Sequence, residues 1–442
     1  MRKLVALATP LLVLSGSLGA ALLFAGSAPS FARATSYPTG RHPYSLAMGD
    51  LNGDGKLDLA TANLLSDTVS VLLNRDGRFQ AKVDYRTGSG PSSVAIGDLN
   101  GDGKPDLATG NDGAVSVLAN RGDGTFARHV ELEARGAGVA IGDLNGDGRP
   151  DLATAGAYAV SVLLNRGGGS FEAEVDYRTG SGPASVAIGD LNGDGRPDLV
   201  TANGGDDTIS VLFNASDGRF QAKHDYGVGI YPDSVALGDL NGDGKPDLVA
   251  ANGDESTVSV LLNRGEGRFS EGRYYRTGHW PEEVAIGDLN GDGKPDLATA
   301  NLTTRDFRSQ IAGTVSVLPN RGDGTFHRRI DYGSGRGTSS VAIGDLNSDL
   351  KPDLATSNSR ASTVSVLINT PGLCTVQDVK GRRLPVAREM IARANCRVEK
   401  IRRAESKTVK RGRVISEQPK PGTVLPNRGM VNLVVSRGRR AS

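Results

Sequence analysis

The sequence predicts a mainly β protein: a seven-bladed β-propeller closed by an N-terminal strand, followed by a small α+β domain. Three observations predict it. A phrase of the form GDLNGDGKPDLATAN recurs seven times, its first Asp at 50, 98, 143, 190, 239, 288 and 345. Repeats of this period that alternate short strands and turns form propellers or solenoids, not separate domains. The strand missing from the last repeat is found at the other end of the chain. The 60 glycines and 5% aromatic residues among 442 fit a turn-rich chain and argue against a helical bundle. Two cysteines exclude a disulfide-rich scaffold.

The N-terminus reads as a targeting segment. Arg2 and Lys3 precede an apolar run from Leu4 to Ala25, and small residues follow at Gly26, Ser27 and Ala28. That order of charge, apolar run and small residues is a secretory signal, so residues 1–28 are set apart from the fold, with an uncleaved anchor as the open alternative. No later stretch can span a bilayer, and the mature chain is expected outside the cytoplasm.

Each repeat supplies four strands. In the second, residues 93–97, 106–111 and 115–120 alternate apolar and polar positions, as a half-buried strand does. A Gly turn at 121–124 then leads into a fourth strand expected from Phe126. The Phe is followed six residues later by Tyr in most repeats: Phe79/Tyr85, Phe171/Tyr177, Phe220/Tyr226, Phe269/Tyr275 and Phe326/Tyr332, with Leu132 after Phe126. The seventh repeat stops at Asn369 without this pair, and Phe31 and Tyr37 carry the same spacing ahead of the first repeat. An N-terminal strand that completes the last blade closes a ring and removes the exposed sheet edges. The propeller is expected over residues 29–370.

These units resemble the FG-GAP (VCBS-type) repeats of integrin α-subunit-like propellers over about residues 30–370. The resemblance implies calcium held in hairpin loops. The residues support the same chemistry independently. In Asp98, Asn100, Asp102, Lys104 and Asp106, oxygen side chains stand at positions 1, 3, 5 and 9, and the backbone carbonyl of position 7 can point inward. Glycine at position 6 permits the left-handed turn that wraps a chain around an ion. Carboxylates this close repel one another unless a cation neutralises them, and an all-oxygen set favours Ca²⁺ over transition metals. The set recurs at Asp50, Asn52, Asp54, Lys56 and Asp58; at Asp143, Asn145, Asp147, Arg149 and Asp151; and at Asp190, Asn192, Asp194, Arg196 and Asp198. It recurs again at Asp239, Asn241, Asp243, Lys245 and Asp247, and at Asp288, Asn290, Asp292, Lys294 and Asp296. The seventh copy keeps Asp345, Asn347, Asp349 and Asp353 but replaces both glycines with Ser348 and Leu350, so it is expected to be weak or empty. Six to seven structural calcium sites follow from this count. Ordinary turn formation by Asp and Asn is the competing reading.

Loops alternate between the two ends of an up-and-down blade. The acidic loops therefore share one face with the Gly turns, and the opposite face carries the links between blades. That second face holds Tyr44, Tyr231 and Trp280, and a sixth-repeat insertion with Arg305 and Phe307, all candidates for contacting a glycan or a protein. Covering strand ends is the competing role. Arg-Gly-Asp at 121–123 and 321–323 falls where other repeats read Arg-Gly-Glu or Arg-Gly-Gly, so turn formation explains it. The five histidines lack metal or triad spacing, and no nucleophile-elbow, zinc-protease or phosphate-loop motif is present, so no catalytic residue is assigned.

The remainder, 371–442, is a separate small domain carrying 18 Lys+Arg against 5 Asp+Glu, whereas residues 1–370 carry 33 against 45. A strand is expected at 374–379, a helix at 384–395 with Leu384, Ala387, Ile391 and Ala394 on one face, and a final strand alternating at Val431, Leu433 and Val435. The stretch 414–423, together with Val379-Lys380-Gly381 and Leu384-x-x-Ala387, resembles PASTA domains, although Gln377 stands where Pro is common. The resemblance implies a bacterial cell surface and binding to peptidoglycan fragments, and the basic charge suits anionic wall polymers. Cys374 and Cys396 are expected to form a disulfide in an exported protein. Nucleic acid is not expected, since basic residues are not interleaved with aromatics. The expected whole is a secreted, calcium-binding adhesion module tethered to the wall. The alternative is an extracellular polysaccharide-acting enzyme with its site at the central opening, favoured if carboxylates cluster on the face away from the acidic loops.

Overall fold

The computed structural model describes residues 29–303, 310–370, 374–393, 396–425 and 429–438. The expected signal segment 1–28 and the candidate residues Arg305 and Phe307 lie outside the described residues. The chain divides into two units, one from Arg33 to Ile368 apart from residues 290–292, the other built mainly from Asn369 onward.

The first unit contains seven four-stranded antiparallel sheets. The first sheet runs Pro43–Gly49, Asp58–Asn63, Thr68–Leu72 and Val83–Arg86. The first strands of the others are Ser93–Gly97, Gly138–Gly142, Pro183–Gly189, Pro232–Gly238, Pro281–Gly287 and Thr338–Gly344. Each of these first strands packs on that of the next sheet, and the strand Thr338–Gly344 packs back on Pro43–Gly49. The circle is therefore closed. The seventh sheet takes its outer strand from the N-terminus: Thr35–Pro38 pairs antiparallel with Thr363–Leu367, Thr35 opposite Val366 and Pro38 opposite Thr363.

The core lies between sheets. Leu51, Val69 and Val71 of the first pack with Val94, Leu107, Leu118 and Phe126 of the second. The second strands are buried along their whole length because neighbours cover both faces. Several of their polar groups bond internally: Asn63 Nδ2 donates to Ser70 Oγ at 2.9 Å, and Ser70 in turn donates to Asp84 Oδ1 at 2.6 Å, whereas Asn63 Oδ1 is buried without a partner among the described residues. A girdle of serines links the first strands. Ser45 Oγ accepts from Val94 N–H at 3.2 Å, Ser93 Oγ from Val139 N–H at 3.2 Å and Ser340 Oγ from Leu46 N–H at 3.1 Å.

The fourth strands start later than the sequence suggested. Phe126 is not the first residue of a strand but a single bridge to Asn120, and the strand itself is Val130–Glu133. The Phe belongs to the turn, and its ring serves the neighbouring sheet. Phe79 meets Tyr37, Phe126 meets Tyr85, Phe220 meets Tyr177, Phe269 meets Tyr226 and Phe326 meets Tyr275, all edge-to-face at 5.2–5.3 Å. Where Leu132 replaces Tyr, it and Phe171 pack against the same core cluster. Such aromatic pairs add about 0.5–1.5 kcal/mol each beyond area burial.

The second unit has a helix, Leu384–Arg393, and residues 394–395 of the expected helix lie outside the described residues. Its three-stranded sheet places Gly429–Ser436 between Cys396–Ala404, which is parallel to it, and Val414–Gln418, which is antiparallel. Val379, Ala387, Ile391, Val414, Val431 and Leu433 form the core. Cys396 is buried, but the side chain of Cys374 lies outside the described residues.

Candidate functional site

Every acidic loop joins strands one and two of its sheet and folds by the same local bonds. In the first, Gly53 and Asp54 N–H both donate to Asp50 Oδ1, at 2.8 and 3.1 Å, and Gly55 N–H donates to Asp50 Oδ2 at 2.8 Å. Asp54 N–H also donates to Asn52 Oδ1, and Lys56 N–H to Asp54 Oδ1. The turn this requires has φ of +80° at Gly55 and +83° at Gly148 and Gly195. The loops of Asp98, Asp143, Asp190 and Asp239 repeat these bonds. Gly293 N–H likewise donates to Asp288 Oδ2, and Asp292 N–H to Asn290 Oδ1. In the seventh loop the same path is kept without glycine. Ser348 and Leu350 take φ of +61° and +65°, and Leu350 N–H donates to Asp345 Oδ2 at 2.7 Å. Leu350 is 92% exposed, so its strain is offset by no packing.

The ninth-position carboxylate is buried and held by backbone bonds of its own. Asp58 is fully buried, with Oδ2 accepting from Leu51 N–H at 3.0 Å and Oδ1 from Asn74 N–H at 2.7 Å. Burial pushes Asp58, Asp106, Asp151, Asp198 and Asp247 up to about 6, against the backbone hydrogen bonds that pull them down. The Asn that follows strand three, missed as a functional position, ties neighbouring loops together. Asn120 Nδ2 donates to Leu51 O of the preceding loop at 2.9 Å, and Asn74 Nδ2 to Leu346 O of the seventh at 2.8 Å. Its recurrence after every third strand was the available signal.

The seventh-position cation pairs with the fifth-position carboxylate in several loops: Lys104 with Asp102 at 3.3 Å, Lys245 with Asp243 at 3.1 Å, and Arg149 with Asp147 and Arg196 with Asp194. Lys351 stands 3.7 Å from Asp349, whereas Lys56 turns to Asp76 at 2.9 Å. Among the described residues, no group of three His, Cys, Asp or Glu is gathered closely enough to hold a metal. The donors at hand are hard oxygens arranged on a preformed loop, a set that suits a divalent cation once the Lys or Arg is displaced. A cavity of about 100 Å³ opens between the second and third sheets, lined by Asp98, Asn100, Arg149, Pro150 and Asn165 among others.

At the other end of the strands, the residue entering strand one is Gly90, Gly182 or Gly337 in the second, fourth and seventh sheets, each with positive φ. His42, Tyr231 and Trp280 take the same conformation, at +57°, +55° and +49°, in the first, fifth and sixth. Left-handed backbone at such residues costs on the order of 1–2 kcal/mol each. Two positions on stand Tyr44, Asp233 and Glu282. Tyr44 stacks on His42 with centroids 6.3 Å apart and donates its hydroxyl to Glu282 Oε2 at 2.9 Å, reaching past the seventh sheet. Burial, then the charges of Glu282 and Asp233, push the Tyr44 phenol well above its ordinary value. Glu283 replaces a serine of the girdle and accepts from Val341 N–H at 2.9 Å; burial pushes its carboxyl up to about 7. Tyr44, Tyr231 and Trp280 are thus brought to one end of the propeller with three carboxylates that sequence reasoning did not single out.

A family model described as an FG-GAP-like repeat matches residues 50–109, 98–154, 143–201, 191–250 and 239–299, and a PASTA domain model matches 375–437. None of the curated proteins matches the chain. Among solved structures, BBS1N in complex with ARL6DN, from crystals soaked with mercury and with lead, is 13% and 12% identical. It aligns over 77% and 76% of this chain and 97% and 98% of that one, with TM-scores of 0.53 and 0.51. A lectin of Agrocybe aegerita, described as recognising non-reducing terminal N-acetylglucosamine, is 19% identical over 72% of this chain and 86% of that one, with a TM-score of 0.47. The BBS1N structures support the propeller fold alone.

Proposed function

The chain belongs to the FG-GAP-like repeat family and ends in a PASTA domain, and from that premise we propose that it is a secreted or cell-surface binding module, stabilised by calcium and attached to the cell wall. The observation that carries the proposal is the joining, in one chain, of a propeller with seven acidic hairpin loops to a basic domain of the PASTA family. Calcium exchanges with the seventh-position Lys or Arg. The carboxylates at positions 1, 5 and 9, the position-3 amide and the carbonyl of position 7 supply its ligands in the loops from Asp50 to Asp288, and the strained loop at Asp345 binds more weakly. Melting the protein in millimolar calcium and in excess chelator tests this, and an unmoved midpoint would remove calcium from the account.

The basic domain, with 18 Lys+Arg against 5 Asp+Glu, carries the wall attachment to peptidoglycan or an anionic wall polymer. Sedimentation of the full chain with purified wall, competed by soluble muropeptides, tests it; a chain that stays in solution contradicts the tether. Cys374 and Cys396 form a disulfide worth about 3 kcal/mol, and two titratable thiols in the folded protein would reject it. The polysaccharide-acting enzyme is kept as a second reading for one reason: Asp233 and Glu282 both act on Tyr44 at the end away from the acidic loops, and Glu283, next in the chain, is pushed by burial up to about 7. Release of reducing ends from wall polysaccharide, abolished by Glu283→Gln, would establish it.

A further inference from the structure

The basic domain carries its charge without aromatic residues: residues 371–442 contain no Phe, Trp, Tyr or His. A site that grips sugar rings by stacking needs such a platform, so recognition here falls to charge and hydrogen bonds. The charge is gathered at one place, with 8 Lys+Arg against 2 Glu in residues 396–413. Strand Cys396–Ala404 lies at the edge of its sheet, packs Cys396, Val398 and Ile401 on the core, and leaves Arg397, Arg402 and Arg403 exposed. The chain then folds back over the end of the sheet. Arg437 N–H donates to Ala404 O at 2.8 Å, Ser406 N–H to Gly438 O at 3.2 Å and Gly412 N–H to Ser436 O at 2.9 Å. These bonds set the exposed Lys407, Lys410, Arg411 and Arg437 beside the end of the strand, and Arg383 and Arg413, bridged to one another, border it. The acids of this lobe are Glu399, 3.8 Å from Lys400, and Glu405; Glu405 and Lys407 already have partners within the protein. Among the described residues, the side chains of Arg397, Arg402, Arg403, Lys410, Arg411 and Arg437 take no hydrogen bond or ion pair. A charge on an edge strand guards against unwanted pairing, but that role asks nothing of Lys410, Arg411 and Arg437, which lie off the strand.

We propose that this lobe binds a polyol-phosphate chain, a flexible polymer of repeating phosphodiesters, laid along the strand and over the folded-back loop. From Arg397 to Arg403 the strand runs about 20 Å, at about 3.3 Å per residue. A row of that length is matched by anions that repeat along a chain, not by the few carboxylates of a single wall fragment. Arginine forks are always charged and take two phosphate oxygens at once. A polyol phosphate has no ring face, so it loses nothing on a surface without aromatics. A carboxylated polysaccharide matches the charge but brings rings that this surface cannot stack on. The inference rests on the wall-attachment reading and narrows its ligand class.

The test titrates the full chain, in calcium, with poly(glycerol phosphate), polygalacturonate, soluble muropeptide and a DNA duplex, read by calorimetry. Poly(glycerol phosphate) is expected to bind saturably and tighter than the other three, by about tenfold or more over the muropeptide. Its affinity is expected to fall about tenfold or more between about 50 and 200 mM salt, as condensed counterions are released. No binding of poly(glycerol phosphate), or equal or tighter binding of any of the other three, overturns the proposal. Arg402→Gln combined with Arg411→Gln changes only exposed side chains, so it is expected to melt with the parent while losing about tenfold or more in affinity and part of the salt dependence. Arg388→Gln combined with Lys420→Gln removes the same charge from the helix and from beyond the far end of strand Val414–Gln418, and is expected to lose no more than about twofold. Equal losses in the two double variants overturn the site. Sedimentation with purified wall that persists undiminished in the first double variant overturns this ligand while leaving the wall attachment intact.

Discussion

The interface between the second and third sheets is underfilled, and one substitution should correct it. The residue before the recurrent Asn is Leu73, Leu164, Phe213, Leu262 and Ile368 in five other repeats and Pro319 in the sixth, and in the second it is Ala119. Each large side chain fills the space beside a glycine of the next sheet's turn. A Cβ built on Gly124 would lie 2.7 Å from Leu73 Cδ2, on Gly218 2.8 Å from Leu164 Cδ2, and on Gly324 2.6 Å from Leu262 Cδ2. On Gly169, next to Ala119's sheet, it would meet only Asn100 Cβ, at 3.8 Å. A cavity of about 100 Å³ between the same two sheets is also lined by Asn100, although not by Ala119. Ala119→Leu adds three carbons, worth about 2.4 kcal/mol at about 0.8 per buried CH₂. Loss of leucine rotamer freedom, about 0.5–1 kcal/mol, leaves a gain of about 1.5–2 kcal/mol. The unfolding entropy of a unit of this size is about 0.7 kcal/mol/K, so the melting midpoint should rise by roughly 2–3 °C. Urea denaturation at fixed calcium should show a higher midpoint with an unchanged slope. A neutral or destabilised variant would mean that the neighbouring turn, not the missing side chain, sets the gap.

Three further outcomes follow from the loops and the girdle. Leu350→Gly relieves left-handed strain at a fully solvated residue and should stabilise by about 1 kcal/mol; loss of stability in chelator would show the strain argument to be mistaken. Arg149→Gln frees the Asp147 carboxylate for an ion and should tighten calcium binding severalfold at that loop, read by calorimetry; unchanged affinity would show that the pair does not compete with metal. Glu283 is pushed from 4.5 to about 7, so the folded protein holds this proton more tightly than the unfolded chain. Its contribution turns unfavourable as pH rises from about 4.5 through 7, and Glu283→Gln should therefore stabilise at pH 8 but not at pH 4, by no more than about 3 kcal/mol. Parallel stability curves for the two proteins would refute this.

Much of the architecture was legible because the chain repeats itself: a period read seven times averages out local ambiguity, and the Phe31–Tyr37 spacing marked the strand that completes the seventh sheet. What was misread is non-local. The Phe126-to-Leu132 and Phe79-to-Tyr85 spacings look like neighbours within one strand, yet each ring's partner lies in an adjacent sheet. The acidic loops were legible as glycine-dependent turns, but the buried strut formed by Asp58 with Asn74 needed the fold to bring residues 16 apart together. The Tyr44–Glu282 bond spans 238 positions of sequence, a separation at which no periodicity carries information.

The strand Thr363–Leu367 lies between Asp353–Asn358 and the N-terminal Thr35–Pro38, so the chain leaves the ring from an interior strand and not from an edge. Tension arriving from residues beyond 369 must therefore rupture two ladders at once before the propeller loosens. A load on the C-terminal end of the ring therefore falls first on the seam where its two ends were joined.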